Sequence, residues 1–251
     1  MIKLLKKIIK KLLRIFNWRL EKLIPNKYYN LEVPSDIVID SIKSSSGVFH
    51  LGAHRGEAAP VYEWFGKKVI WIEANPIIFQ DLKDNLIKYK EQKAYQALLH
   101  SKDNEKIDFY LSNNDYASSS IFEFGELSVG PKSLWSNKNL KYVSKKILVT
   151  TTIDTLISKN SIDIQNYNYW VMDLQGAELL SLNGAHRSLN FCKFLYIEVS
   201  NGQVYKNAAQ WTDVKSFLEK KGFKAMFELD RSEEHTSELQ SRLHLVCRLL
   251  L

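Results

Sequence analysis

Gly52 and Gly56 follow an apolar run, Val48-Phe49-His50-Leu51, and Glu73 closes a second one, Val69-Ile70-Trp71-Ile72. Glycine reaches positive φ freely and lets backbone come close to a ligand where a side chain would block it. A carboxylate at the end of the next strand is placed to accept hydrogen bonds from two ribose hydroxyls. In this order the residues describe an adenosine-type cofactor site at the carboxyl ends of parallel strands. A βαβ turn without a ligand uses the same glycines, so the motif carries weight only with Glu73 beside it. Further along, Asp173 ends an apolar run, Gln175 follows on the turn, and Glu198 ends another run. Such groups orient a hydroxyl or take its proton. His50, His54 and Glu57 suggest a metal, but Gly52 puts a turn between the two histidines. The i, i+4 geometry of zinc-binding helices is then absent, and no metal is expected.

The elements that position these residues alternate strand and helix through residues 35–230. Strands are expected at 47–51, 68–72, 94–99, 169–174, 194–199 and 223–228. Between them, a helix starts near Gly56 and stops at Gly66. Pro76 opens another, with Ile78, Leu82, Leu86 and Tyr89 on one face. Two more run from near Ala177 to Gly184 and over 211–221. Between 103 and 168 the rhythm changes. Residues 106–112 and 146–152 alternate and are expected to pair as an antiparallel hairpin, with Ser118-Ser119-Ser120 in the loop between. The pattern is that of an α/β protein with a mostly parallel, doubly wound sheet and a β-hairpin insertion.

Charge sets the N-terminus apart. Residues 1–24 hold eight Lys/Arg against one acid, Glu21, a net +7, whereas the other 227 residues hold 27 basic and 27 acidic side chains. A nucleic-acid binder shows its basic face on the folded domain itself, so no nucleic acid is expected. Ile2, Leu5, Ile9, Leu12, Phe16, Leu20 and Leu23 mark one face of a basic amphipathic helix. That pattern suits an anionic membrane surface, each basic residue adding about 1 kcal/mol of attraction. A helix packed on its own domain or on a partner would show the same pattern. Residues 25–34 read as a linker. Cysteine is limited to Cys192 and Cys247, and no run approaches the ~20 apolar residues of a membrane span. A reducing, cytoplasmic location is expected, with peripheral attachment to the inner face of the cytoplasmic membrane.

Several motifs in order give a resemblance. His50–Glu57, Trp71-Ile72-Glu73-Ala74-Asn75-Pro76, Ser112-Asn113-Asn114 with Ser118-Ser119-Ser120, and Thr151-Thr152-Ile153-Asp154-Thr155-Leu156 come first. Met172-Asp173-Leu174-Gln175-Gly176-Ala177-Glu178-Leu179, Leu182-Asn183-Gly184-Ala185, Glu198-Val199-Ser200, Tyr205 and Gly222-Phe223 follow. Together they resemble the FkbM family of S-adenosylmethionine-dependent methyltransferases over most of residues 47–228. The resemblance implies a Rossmann-like class I methyltransferase fold and S-adenosylmethionine as cofactor. It places His50, Gly52, Ala53, His54 and Gly56 in the cofactor loop and Glu73 on the ribose. Ser101, after the third strand, is a candidate to approach the adenine, an ordinary turn serine being the alternative. Two residues depart from the usual pattern: His50 stands where methyltransferases of this fold carry an acid, and His54 replaces the middle glycine.

The family's sheet ends with a seventh, antiparallel strand. Here residues 231–251 begin Arg-Ser-Glu-Glu-His-Thr-Ser-Glu-Leu-Gln-Ser, which resembles the conceptual translation of a DNA sequencing adapter. The tail is therefore expected to be artefactual and the last strand to be missing. Asp173 is the expected base or substrate orienter, with Gln175 and Glu198 beside it. Glu178 reads equally as part of that site or as an electrostatic stabiliser of the helix it opens. The expected acceptor is a hydroxyl on a glycan, a lipid-linked sugar or a small molecule. Two alternatives stand beside this: a nicotinamide-dependent oxidoreductase on a similar sheet, and a non-catalytic peripheral membrane module.

Overall fold

The computed structural model describes residues 35–131, 133, 139–229 and 242–249. The basic segment 1–24, the linker 25–34 and tail residues 230–241 lie outside the described residues, and so does the membrane reading.

The apolar runs form strands because both their faces are covered. In β1 (Gly47–Leu51), Phe49 and Leu51 enter one core cluster while Val48 enters the other. The same split divides β2 (Lys68–Glu73) into Ile70 and Ile72 against Val69 and Trp71. It also divides β7 (Tyr169–Met172) into Trp170 and Met172 against Tyr169 and Val171. Near-continuous hydrophobic strands are what a parallel sheet with helices on both faces requires. Helices α1 (Ser35–Ser44), α2 (Ala59–Trp64) and α3 (Pro76–Leu86) cover one face through Val38, Tyr62 and Leu82. Helices α4 (Ile153–Lys159), α5 (Glu178–Asn183) and α6 (Trp211–Lys220) cover the other through Leu156, Leu182 and Leu218. Each fully buried side chain of this kind contributes about 1.5–3 kcal/mol.

The main sheet has the order β3-β2-β1-β7-β8-β10-β9, with β3 at Gln92–Gln96, β8 at Phe194–Ser200, β9 at Phe223–Leu229 and β10 at Arg242–Leu249. The pairings from β3 through β8 are all parallel. From β1 the chain winds outward to β2 and β3, then returns to the far side of β1 with β7 and β8. The direction of winding therefore reverses between β1 and β7, the point where sheets of this kind place a crevice at the carboxyl ends of their strands. This is the doubly wound, Rossmann-like sheet expected from the sequence.

The expected loss of the last strand is corrected. β10 lies between β8 and β9 and runs antiparallel to both, with Glu198 opposite His244. Its sequence, Arg-Leu-His-Leu-Val-Cys-Arg-Leu, largely alternates polar and apolar residues, which is enough to fill a ladder whatever the origin of the segment.

The insertion forms as expected. β5 (Lys106–Ser112) pairs antiparallel with β6 (Tyr142–Thr151). The run 94–99 is not one strand but two: β3 stays in the main sheet, whereas β4 (Leu98–Leu99) pairs with β6. Ala97 marks the handover, its N–H donating to the Glu73 carbonyl at 3.0 Å. α2 begins at Ala59 rather than near Gly56, because Gly56 is left-handed at φ 71° and Pro60 sets the first helical turn.

Candidate active site

The crevice at the strand ends is a cleft of about 250 Å³, room for an organic molecule rather than a few waters. The turn after β1 forms one rim. Gly52 has φ 84°, and a Cβ there would lie 1.8 Å from the Asp173 carbonyl oxygen. A Cβ on Gly56 would press on Leu82 at 2.7 Å. Close backbone packing thus demands glycine at 52, which lets the turns after β1 and β7 meet, whereas at 56 it is the left-handed φ of 71° that favours glycine. Gly52 and Ala53 both donate their N–H to the Ile72 carbonyl, at 3.0 and 2.9 Å.

Glu73 stands at the centre. Its Oε2 accepts the His54 N–H and its Oε1 the Asn75 N–H, each at 2.8 Å, so one carboxylate fastens the turns after β1 and β2. Burial raises its pKa, opposed by these two N–H donors. A carboxylate has ~four acceptor positions, so it can take further donors on the side facing the cleft.

His54 sits at φ 46° with its ring between partners: Nδ1 lies 2.7 Å from Glu57 Oε1 and Nε2 3.1 Å from the Asp115 carbonyl oxygen. Burial pulls its pKa down, but the hydrogen bonds to Glu57 and Asp115 outweigh it and the net shift is upward. Burial pushes Glu57 the other way and is likewise outweighed by His54, leaving its carboxyl below the usual range. His54 and Glu57 are thus hydrogen-bonded partners at the rim, each favouring the other's charged form.

The opposite rim is the turn after β7. Asp173 donates its N–H to the Leu51 carbonyl at 3.0 Å and lines the cleft with Leu174, Gln175 and Ala177. Gln175 Nε2 donates to Asp173 Oδ1, and Tyr205 donates its phenol to Gln175 Oε1 at 2.6 Å. Glu178 is not itself among the cleft-lining residues. Its buried Oε1 accepts the N–H groups of Leu174 at 2.7 Å and Gly176 at 3.3 Å, tying the turn together. Burial lifts its pKa to about 7, those donors opposing and nearby Glu198 adding repulsion.

Of the sequence-predicted residues, Gly52, His54, Glu73, Asp173 and Gln175 line one cleft. Ala53 and Gly56 belong to the same turn but are not among the lining residues. His50, Ser101 and Glu198 are not among its lining residues. The His50 ring stacks on Trp71 at 4.6 Å and meets the Tyr62 hydroxyl at 3.1 Å. That packing explains a histidine at this position of β1: its register neighbour on β2 is Trp71, and an imidazole stacks where a carboxylate would lose solvation. Ser101 lies beside His100, and Glu198 sits within β8.

Sequence reasoning missed the roof. Phe109 from β5 and Tyr116, Ala117, Ser119 and Ile121 from the insertion loop close over the cleft. Arg55 holds that loop down, with Nη1 and Nη2 on Asp115 at 2.5 and 2.9 Å and Nε on Asp81 at 2.9 Å. The serine run was the available signal: Ser120 Oγ donates to the Gln175 carbonyl at 2.7 Å, joining insertion and β7 turn.

The chain matches the methyltransferase FkbM domain over residues 50–225. No curated protein sequence matches it significantly. Among solved structures it is similar to a TehB-like SAM-dependent methyltransferase from Corynebacterium glutamicum, with 12% identity over 94% of this chain and 96% of that one and a TM-score of 0.45. A SAM-dependent methyltransferase from Aquifex aeolicus is 10% identical over 92% and 97%, at a TM-score of 0.47. The matched stretch takes in the end of β1, both rims of the cleft, its roof and the first residues of β9. By this match and its sheet, the chain belongs to the FkbM methyltransferase domain family and has the Rossmann-like class I methyltransferase fold.

Proposed function

We propose that this protein transfers a methyl group from S-adenosylmethionine to a hydroxyl oxygen of a glycan, a lipid-linked sugar or a small molecule. One observation carries the reading. The cleft is lined by Glu57, Glu73 and Asp173, and no lysine or arginine is among its described lining residues. Three carboxylates against one histidine favour a cationic ligand, and a sulfonium is one. A nicotinamide dinucleotide would bring a pyrophosphate into the same acidic space, where like charges repel.

The residues present fit this cofactor. Glu73 would hold the ribose hydroxyls through its remaining acceptor positions, and Leu98, Phe109 and Ile121 offer an apolar surface for the adenine. When bound, S-adenosylmethionine supplies an electrophilic methyl group on a positively charged sulfur. The protein's own task is to hold the acceptor oxygen in line with that methyl and to exclude water. Asp173 is the carboxylate that orients the acceptor hydroxyl and takes its proton. The roof from Phe109 to Ile121 closes the cleft from solvent on the insertion side.

Among the described residues no helix is long and apolar enough to cross a membrane. The basic amphipathic pattern of residues 1–24 supports attachment to an anionic membrane face, which would bring the site near lipid-linked acceptors.

Calorimetric titration with S-adenosylmethionine and its demethylated product tests the cofactor. Both should bind, and Glu73→Gln should weaken them by about tenfold to a hundredfold, the worth of charge-assisted hydrogen bonds to the ribose. Absence of heat with either ligand, on protein that melts cooperatively, refutes the assignment. A methyl-labelled donor supplied with cell-envelope fractions tests the acceptor. Label in glycan or lipid-linked sugar supports the proposal, and label confined to protein overturns it.

A further inference from the structure

The turn that carries Asp173 is held in an uncommon shape. Gln175 has φ 53° and Gly176 φ 100°, two successive left-handed residues of which only the second is glycine. A non-glycine residue there costs of order 1 kcal/mol and persists where its surroundings over-determine it. Here they do: Glu178 takes two N–H groups of the turn, Ser120 donates to the Gln175 carbonyl, and the Gln175 side chain is held at both ends.

The direction of that last chain is fixed by chemistry. An ionised Asp173 only accepts, so the Gln175 amide must turn its Nε2 toward it. Its Oε1 then faces away and needs a donor. The Tyr205 phenol has one proton, with Gln175 Oε1 at 2.6 Å and the Ser118 carbonyl at 3.3 Å both in reach. The shorter contact takes it. Tyr205 is itself immobile, 2% exposed and stacked on Phe124 at 5.9 Å, with its backbone bridged to the same residue.

From this geometry we infer that Tyr205, which is not itself among the cleft-lining residues, is a positioning residue that fixes the Asp173 carboxylate through Gln175. The inference deepens the proposed function and rests on Asp173 being the group that meets the acceptor hydroxyl. It also gives Gln175 a defined role, as the link between Tyr205 and Asp173. Because Phe124 and Ser120 belong to the insertion, seating of the insertion and aim of the carboxylate become one event.

The test is a 13C NMR titration of the Asp carboxyl signals in the protein without cofactor, with the Asp173 signal identified by its loss in Asp173→Asn. Each hydrogen bond to a carboxylate favours its charged form, so Gln175→Leu should raise the Asp173 midpoint by about one unit. Tyr205→Phe removes a single oxygen and keeps the ring stack, and should raise it by about half as much, since the amide is then free to turn. In the Gln175→Leu background Tyr205→Phe should add nothing. A midpoint unmoved by Tyr205→Phe overturns the inference, as does an equal shift in both backgrounds, which would show that Tyr205 does not act through Gln175. No methyl donor enters the measurement, so this result and the cofactor titration can fail separately.

Discussion

At the scale of single residues, the site separates groups that face the ligand from groups that hold them. Glu73 does both, with two turns fastened to its oxygens and the cleft beside it. His50 does neither. Burial against Trp71 and Tyr62 depresses its pKa to about 4, with Glu57 opposing weakly. A folded-state pKa below the unfolded value of about 6.5 means that the unfolded chain binds the proton more readily. The stability from a neutral His50 is then fully present above about pH 6.5 and is lost as pH falls toward 4. His50→Phe keeps an aromatic ring on Trp71 and removes the titrating group. Its melting temperature, compared with that of the parent, should gain progressively between pH 6.5 and pH 4. A difference that stays constant over that window would show that the ring does not resist protonation.

At the scale of elements, the strands and the β-hairpin could be read from the sequence because their signals are local. Val69-Ile70-Trp71-Ile72 is apolar on both faces, and residues 106–112 alternate, so each run carries its own evidence. The roof of the site could not be read this way, because it depends on pairs far apart in the chain. Arg55 and Asp115 are sixty residues apart, and nothing in either neighbourhood names the other. The exclusion of Ser101 is similar: the chain changes sheets at Ala97, and no strand signal marks a change of partner. The Arg55 latch also shows how stability and function separate. Asp115 is 72% exposed, so its ion pair adds under about 1 kcal/mol to the fold. Yet the loop it fastens contributes Tyr116, Ala117 and Ser119 to the cleft lining. Asp115→Asn keeps a residue type that tolerates the φ of 60° and removes the charge. Its melting temperature should barely change, while amide exchange over residues 113–119 should quicken several-fold. Unchanged exchange in that loop would mean that packing of Tyr116, not the ion pair, holds the roof.

At the scale of the whole molecule, one parallel sheet supplies both rims of the cleft, and its far edge is finished by an unexpected segment. β9 pairs only with β10 among the described strands, and β10 covers β8, the neighbour of β7. The adapter-like sequence of residues 231–251 and the strand at Arg242–Leu249 are compatible facts, because a sheet edge accepts an extended segment whose side chains alternate. The consequence is physical whatever the segment's history. Without it, β8 presents a row of unpaired N–H and C=O groups, and β9 loses its only strand partner among the described residues, keeping its packing against α6. A chain ending at residue 230 should therefore melt several degrees lower than the full chain and associate through the bared β8 edge, which light scattering during the melt would report. The active-site cleft is built on β1, β2 and β7, so whatever fraction stays folded should still bind S-adenosylmethionine with little change in affinity. Equal melting temperatures for the two chains would show that the β10 ladder adds nothing to the fold, and that the sheet is in effect complete at β8.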